Sequence, residues 1–387
     1  MGKADRVKIN PGMLKYAIES ANTEIEPLSK ELRIDPEKVR AWIKGSTYPT
    51  MKQLITISKK LGRSYYYFLL DEPPKDTPIP VDFRPLGTRN LPLKRETIVA
   101  IREAKSLQDV AREIMVELGI NPKPLFETTN LENDPKEKAK EIRKELGIRT
   151  NSKRKEWDTE NKAFSEIRDS IERLNVIVVT MDFPFEDARG FSLSENYPNV
   201  IGVSQHEPQK KAMNFTLLHE LGHLLLRKEG VCNPEETIKI DSDEKEIENW
   251  CNRFASAVLL PEYIIRNEFY SDALRTNTQA LKGKIAYISE KFYISKQAIA
   301  YALFKIELIN RDTYFLFAQF KEPKKKQSGG GRSPPKWQRS INSRGKRFSE
   351  IVYQGNESGY LPTSQALGYL SVQLKDFNKV KEAINAR

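Results

Sequence analysis

The 387-residue chain is 39% hydrophobic and 30% charged, the balance of a globular protein with two or three domains and a sizeable core. No apolar run reaches the ~18 residues a membrane span needs, and no signal-peptide core follows Met1. The two cysteines, Cys232 and Cys251, build no disulfide framework, so membrane, secreted and disulfide-stapled classes are set aside and a cytoplasmic protein is expected. The net charge of +11 gathers at the ends. Residues 1–70 hold 13 Lys and Arg against 7 Asp and Glu, residues 321–387 hold 14 against 5, and the middle is mildly acidic. Basic ends point to phosphate contacts there and to a different task between them.

Residues 10–70 read as short helices with tight turns. A helix over about 26–33 is followed by Ile34-Asp35-Pro36, where Asp35 suits an N-cap and Pro36 the first helical turn. The next helix, Pro36 to Lys44, turns Glu37, Lys38, Arg40, Ala41 and Lys44 outward and Val39, Trp42 and Ile43 inward, and Gly45 ends it. That pattern fits a recognition helix in a DNA major groove, with Glu37, Lys38, Arg40 and Lys44 as the DNA-facing residues. Residues 71–91, with Pro73-Pro74 and Pro78-Ile79-Pro80, read as a linker.

Helical periodicity returns over 92–119 and stops at Gly119, and further helices are expected at about 135–146 and 159–174. Val176-Ile177-Val178-Val179 is a β-branched run that predicts a buried strand, and Phe191-Ser192-Leu193 and Val200-Ile201-Gly202-Val203 predict two more. Helices are expected next over 209–227, 243–259 and, as a pair, 279–308. Lys321 to Arg347, with Gly329-Gly330-Gly331 at its centre, has the composition of a basic linker. Residues 348–387 close the chain as a small helical segment.

The strongest chemical signal is Leu218-His219-Glu220-Leu221-Gly222-His223-Leu224. His219 and His223 are four apart, so on a helix both imidazoles leave one face and reach one ion. Glu220 falls where its carboxylate meets water instead of the metal. The flanks are apolar, and a buried helix carrying two histidines and a glutamate needs a compensating interaction, because unpaired polar groups inside cost several kcal/mol. The chain has three histidines; the third, His206, lies in a loop and has no assigned role. A catalytic site needs a third ligand. Helix 243–259 offers Asp243, Glu244, Glu246 and Glu248, of which Glu248 lies closest to the apolar stripe and is the expected ligand. Glu244 is the alternative, and Cys251 reads as a small buried residue. Two imidazoles and a carboxylate suit zinc, and also manganese or iron.

These residues carry a resemblance. The His219 motif together with Glu248-x-x-Cys251-Asn252-Arg253-Phe254-Ala255-x-x-Val258-Leu259-Leu260-Pro261 is similar to the ImmA/IrrE family of metallo-endopeptidases, whose second motif is roughly E-x-x-A-N-x-F-A-x-x-L-L-x-P. The resemblance covers about residues 80–320 and puts Glu248 on the family's third-ligand position. Cys251 replaces the usual alanine and Val258 the usual leucine. It implies an α+β chain: an all-α helix-turn-helix bundle, then a mostly helical zincin-like protease domain over 92–320 with a small β-sheet. It also implies a zinc cofactor, with Glu220 activating the zinc-bound water, and a regulatory protein such as a repressor as substrate. An edge strand near Val200–Val203 is expected to hold that substrate. Trp42 to Thr50 and Leu54 to Gly62 resemble the Cro/repressor-type helix-turn-helix, which adds DNA as a partner. Ser364 to Leu370 resembles tails of longer regulators and reads either as another short helix-turn-helix or as a dimerisation tail. The competing reading is a non-proteolytic regulator or antitoxin-like protein whose metal site is structural or senses a ligand.

Overall fold

The computed structural model describes residues 6–72, 93–148, 157–227, 230–232, 243–270, 277–318 and 334–385. The class is α+β, helices around one small sheet. The expected linkers fall largely outside this range: residues 73–92 and 319–333 are not described.

The N-terminal bundle holds α1 (Pro11–Glu19), α2 (Ile25–Leu32), α3 (Pro36–Ile43), α4 (Met51–Leu61) and a short 3-10 helix (Tyr65–Leu69). Three of its α-helices start on a side-chain cap. Asn10 caps α1 by accepting from the Gly12 N–H, and Asp35 caps α3 by accepting from Glu37. Thr50 and Gln53 form a reciprocal capping box on α4. Leu14, Leu28, Val39, Trp42, Leu54, Leu61 and Phe68 fill the bundle's own core, while Ile43, expected inside, is only half-buried.

The bundle is mounted on α5 (Arg95–Glu117). Arg102 donates to the Leu61 carbonyl at 2.9 Å and the Ser20 carbonyl at 2.7 Å. Arg95 reaches Glu31 at 2.5 Å, and the Asn22 amide donates to the Leu93 carbonyl. These ties leave from α2 and from the ends of α1 and α4.

The middle contains α6 (Pro135–Glu145), α7 (Glu160–Arg173), α8 (Lys210–Leu226), α9 (Asp243–Leu259), α10 (Glu262–Glu268), α11 (Thr278–Phe292), α12 (Lys296–Lys305) and α13 (Arg311–Ala318). They surround β1 (Ile177–Met181), β2 (Gly190–Leu193), β3 (Val200–Ser204) and β4 (Gly230–Cys232), in the order β1-β3-β2-β4. β1 runs parallel to β3, β2 runs antiparallel to β3, and β4 runs antiparallel to β2. β3 is therefore an interior strand, which corrects the expected edge strand at Val200–Val203. All five of its residues are buried, as a strand covered on both faces requires. The run Val200-Ile201-Gly202-Val203 has no polar alternation because neither face meets water.

The pleat splits the sheet between two cores. Val178, Ile201 and Val203 face α8 and its neighbours. Ile177, Val179, Phe191, Leu193 and Val200 join a second core with α5 and the C-terminal helices. Those helices are α14 (Lys336–Arg344), α15 (Lys346–Glu357), α16 (Thr363–Leu370) and α17 (Leu374–Asn385). α14 lies inside the stretch expected to be linker, and Phe348, Ile351 and Val352 of α15 are fully buried in the second core. Burying each such side chain is worth roughly 1.5–3 kcal/mol, enough to override the local basic composition. Glu172 of α7 seals the joint by accepting from the Lys346 and Arg347 backbone N–H groups at 3.0 and 3.3 Å. Arg168 donates to the Asn342 carbonyl at 2.5 Å. Burial pushes the Glu172 carboxyl up to about 7, although Arg168 beside it pulls the other way.

Candidate metal centre

Helix α8 buries sixteen of its seventeen residues, all but Lys210. Its apolar side chains pack against β3 on one side and α9 on the other, which leaves His219, Glu220 and His223 inside the protein. One helical turn separates the imidazoles, and their Nε2 atoms are 3.0 Å apart. Across from them, α9 presents Glu248, also buried: Oε2 is 3.2 Å from His219 Nε2 and Oε1 is 3.1 Å from His223 Nε2. The structure thus brings His219, His223 and Glu248 together. The side chain of the alternative, Glu244, is not among those described.

Gly222 sets the distance between the two helices. A Cβ there would stand 3.1 Å from Cys251 Sγ and 3.3 Å from its Cα, so only glycine lets α9 approach this closely. His219 Nδ1 lies 2.9 Å from Asn252 Oδ1. With Nδ1–H donating to Asn252, His219 Nε2 keeps its lone pair toward Glu248. Asn252 has no assigned role at the sequence level, though it stands one helical turn after Glu248.

The donor set fits a metal ion. Two imidazole nitrogens 3.0 Å apart can share at most one proton between them, and a carboxylate faces both. Ligand bonds of ~2.0–2.1 Å in tetrahedral geometry put ligand atoms roughly 3.3 Å apart, close to the spacings seen. The two imidazoles hold Glu248 well below the usual carboxylate range despite its burial, whereas burial lowers His219. Burial works against a charge on His223 too, but Cys251 and Glu248 outweigh it and raise His223; ligation needs an ionised carboxylate and two neutral imidazoles, so a bound cation would displace that proton.

Glu220 occupies a separate niche against β2. A Cβ on Gly190 would fall 3.1 Å from Glu220 Oε1 and 2.6 Å from Thr216 Cγ2. No hydrogen bond of ordinary geometry reaches either Glu220 oxygen among the described residues. Burial pushes this carboxyl up to about 8, against the pull of His223 and of the Ser192 hydroxyl. β2, the strand bordering Glu220, is paired on both edges, to β3 and to β4.

Residues 171–304 match the family model of the IrrE N-terminal-like domain, Peptidase M78. No curated protein matches the chain significantly. The matched span covers about a third of the chain and contains the whole sheet, α8 and α9. It supports a metallopeptidase-type enzyme and implies a metal, typically zinc.

Within the matched span, Cys251 is a further feature of the pocket. It is a buried free thiol, and it, His219 and His223 each offer one ligand atom within 4.8 Å of the others. His206, the remaining histidine of the domain, sits outside the pocket, 2.6 Å from Asp182 Oδ1 and half-exposed.

Outside the matched span, α3 carries the residues expected to face DNA. Glu37, Lys38 and Lys44 are exposed. Arg40 is half-buried and paired with Glu37 at 2.6 Å and with Glu26. No helix among the described residues is long and apolar enough to cross a membrane.

Proposed function

We propose that the chain is a DNA-binding regulator with zinc-dependent endopeptidase activity toward a regulatory protein such as a repressor. The observation that carries this reading is the convergence of His219 Nε2, His223 Nε2 and both Glu248 oxygens at 3.0–3.2 Å, beside a buried carboxyl that is not one of the three. His219, His223 and Glu248 would hold the ion. Zinc supplies an acidified water and polarises the scissile carbonyl; manganese or iron would suit the same donors.

The chain's own residues do the rest. Asn252 keeps His219 in the tautomer that points Nε2 at Glu248. Glu220 takes the proton from the attacking water and returns it to the leaving amine. Its elevated proton affinity suits a group that must carry a proton between two steps. The N-terminal bundle would bring the enzyme to DNA, with α3 in the major groove and Lys38 and Lys44 meeting phosphate. Arg40 would exchange Glu26 and Glu37 for a DNA contact.

A second reading draws on Cys251 and on the complete burial of His219 and Glu220. A fourth, soft donor would close the coordination shell and make the metal structural. One experiment separates the two. The zinc-loaded protein is incubated with the products of its neighbouring genes, and fragments are read by mass spectrometry. Glu220→Gln should keep its zinc and lose at least about 100-fold in cleavage, while His219→Ala should lose the zinc itself. Equal cleavage by wild type and Glu220→Gln would overturn the catalytic assignment.

A further inference from the structure

Among the described residues, three helix pairs share one turn. Between α2 and α3, Arg33 is left-handed at φ 54°, ψ 43°; between α11 and α12, Tyr293 is at φ 52°, ψ 44°; between α16 and α17, Ser371 is at φ 53°, ψ 37°. Each is a non-glycine residue in a region that L-residues avoid. Each precedes a β-branched apolar residue, Ile34, Ile294 or Val372, and one further residue stands before the next helix starts. The first and third turns also share their bonds. Ile34 N donates to the Ser29 carbonyl and Arg33 N to Lys30; Val372 N donates to Leu367 and Ser371 N to Gly368. The apolar positions repeat in step: Leu28, Val39 and Trp42 are buried in the first pair, and Ala366, Phe377 and Val380 in the third.

The second helices of these pairs differ in their outer faces. In α12 that face is closed: Ala300 is fully buried where α3 has Arg40, and the helix packs against α9 and α13. In α17 the same face is open. Lys375, Asn378 and Lys379 are exposed, Leu374 at its start is 69% exposed, and Glu382 is the acidic residue at its far end. α14, which packs against α17, adds exposed Lys336 and Arg339. Lys336, Arg339 and Lys375 have no ion pair among the described residues, and Lys379 has only a long one, 3.9 Å to Asp376.

We propose that α16 and α17 form a second duplex-DNA-binding module, with α17 as the helix that enters the major groove. Lys375, Asn378 and Lys379 meet the DNA from α17, and Lys336 and Arg339 of α14 meet flanking phosphate. Residues 334–385 hold eight Lys and Arg against four Asp and Glu, a charge that favours a polyanion over a second copy of the same face. This reading depends neither on the peptidase assignment nor on DNA binding by α3.

The test is fluorescence anisotropy of the full chain with a labelled mixed-sequence duplex of about 40 base pairs, over a salt series. Lys375→Ala with Lys379→Ala should weaken binding several-fold and lower the slope of log K against log salt by about two, with an unchanged melting temperature because both side chains are exposed. Lys336→Ala with Arg339→Ala should act in the same direction. Lys38→Ala with Lys44→Ala, measured alongside, reports on α3 separately. If the α17 variant binds with wild-type affinity and slope, the module is overturned. It is equally overturned if sedimentation shows that variant converting a dimer to monomer while DNA binding is retained, which would give the face to a second copy of the chain.

Discussion

Helices α8 and α3 carry their candidate functional residues in opposite ways. α8 buries sixteen of seventeen residues and keeps its imidazoles and carboxyl inside; α3 buries Val39 and Trp42 and turns its charges to water. In α8 every polar group must be satisfied by something built for it, because desolvation is costly. In α3 water already satisfies them, and a partner competes only with solvent and with Glu26 and Glu37. Polar substitutions in α8 should therefore disturb structure and chemistry together, whereas those in α3 should change binding alone.

Four experiments press on that contrast. The largest effect belongs to Glu248→Ala, which removes the carboxylate facing both imidazoles. Zinc affinity should fall by more than about 100-fold, read by competition with a chelator, while Cys251→Ser should change it by less than about tenfold; the reverse ranking would hand the third ligand to the thiol. Next is Gly190→Ala, whose methyl would press on Thr216 and Glu220. It should cost about 3 kcal/mol in urea unfolding, and a neutral result would mean the Glu220 niche is not close-packed.

Glu172→Gln comes third and depends on pH. Folding raises this carboxyl from 4.5 to about 7, so the folded chain binds the proton more tightly than the unfolded one. Its contribution is complete below about 4.5 and is lost as pH climbs through about 7. Glutamine has no such proton. Relative to wild type, the variant should gain on the order of 2 kcal/mol between about pH 5 and about pH 8, measured by paired denaturant melts; a flat difference would remove Glu172 as a titrating group. The smallest effect on the fold is that of Lys38→Ala with Lys44→Ala, which should leave melting unchanged and weaken duplex binding several-fold in a gel shift. A drop in melting temperature would show that α3 is less solvent-facing than its exposure indicates.

Much of the pocket can be read from residue spacing. Two histidines four apart on an apolar helix can share one ion, and Glu248 is the acid nearest the buried stripe of α9. The rest depends on long-range geometry. Nothing local marks Gly190 as the residue that Glu220 leans on, because the contact joins a strand and a helix distant in sequence. Asn252 is visible as a letter one turn past Glu248, but its role needs the His219 ring orientation. β3 reads as an edge strand until both its neighbours are placed, since its parallel partner β1 and its antiparallel partner β2 are fixed by pairings that residue spacing does not show. α14 hides in a basic stretch because Trp337 and Ile341 are its only large apolar residues, too few to outweigh the charge in a composition count. The left-handed turn residues Arg33, Tyr293 and Ser371 share no side-chain chemistry, so only the apolar residue after each could have flagged the repeat.

The division of the sheet between two cores limits how far the protein can be trimmed. The segment resembling the peptidase family, 171–304, contains the strands but not the helices that cover Ile177, Val179, Phe191, Leu193 and Val200. An excised fragment of that span would carry a bare apolar sheet face into water, the kind of surface that drives association. α5 and α15–α17 are thus the other half of the sheet's cover, and both basic ends of the chain are anchored to it.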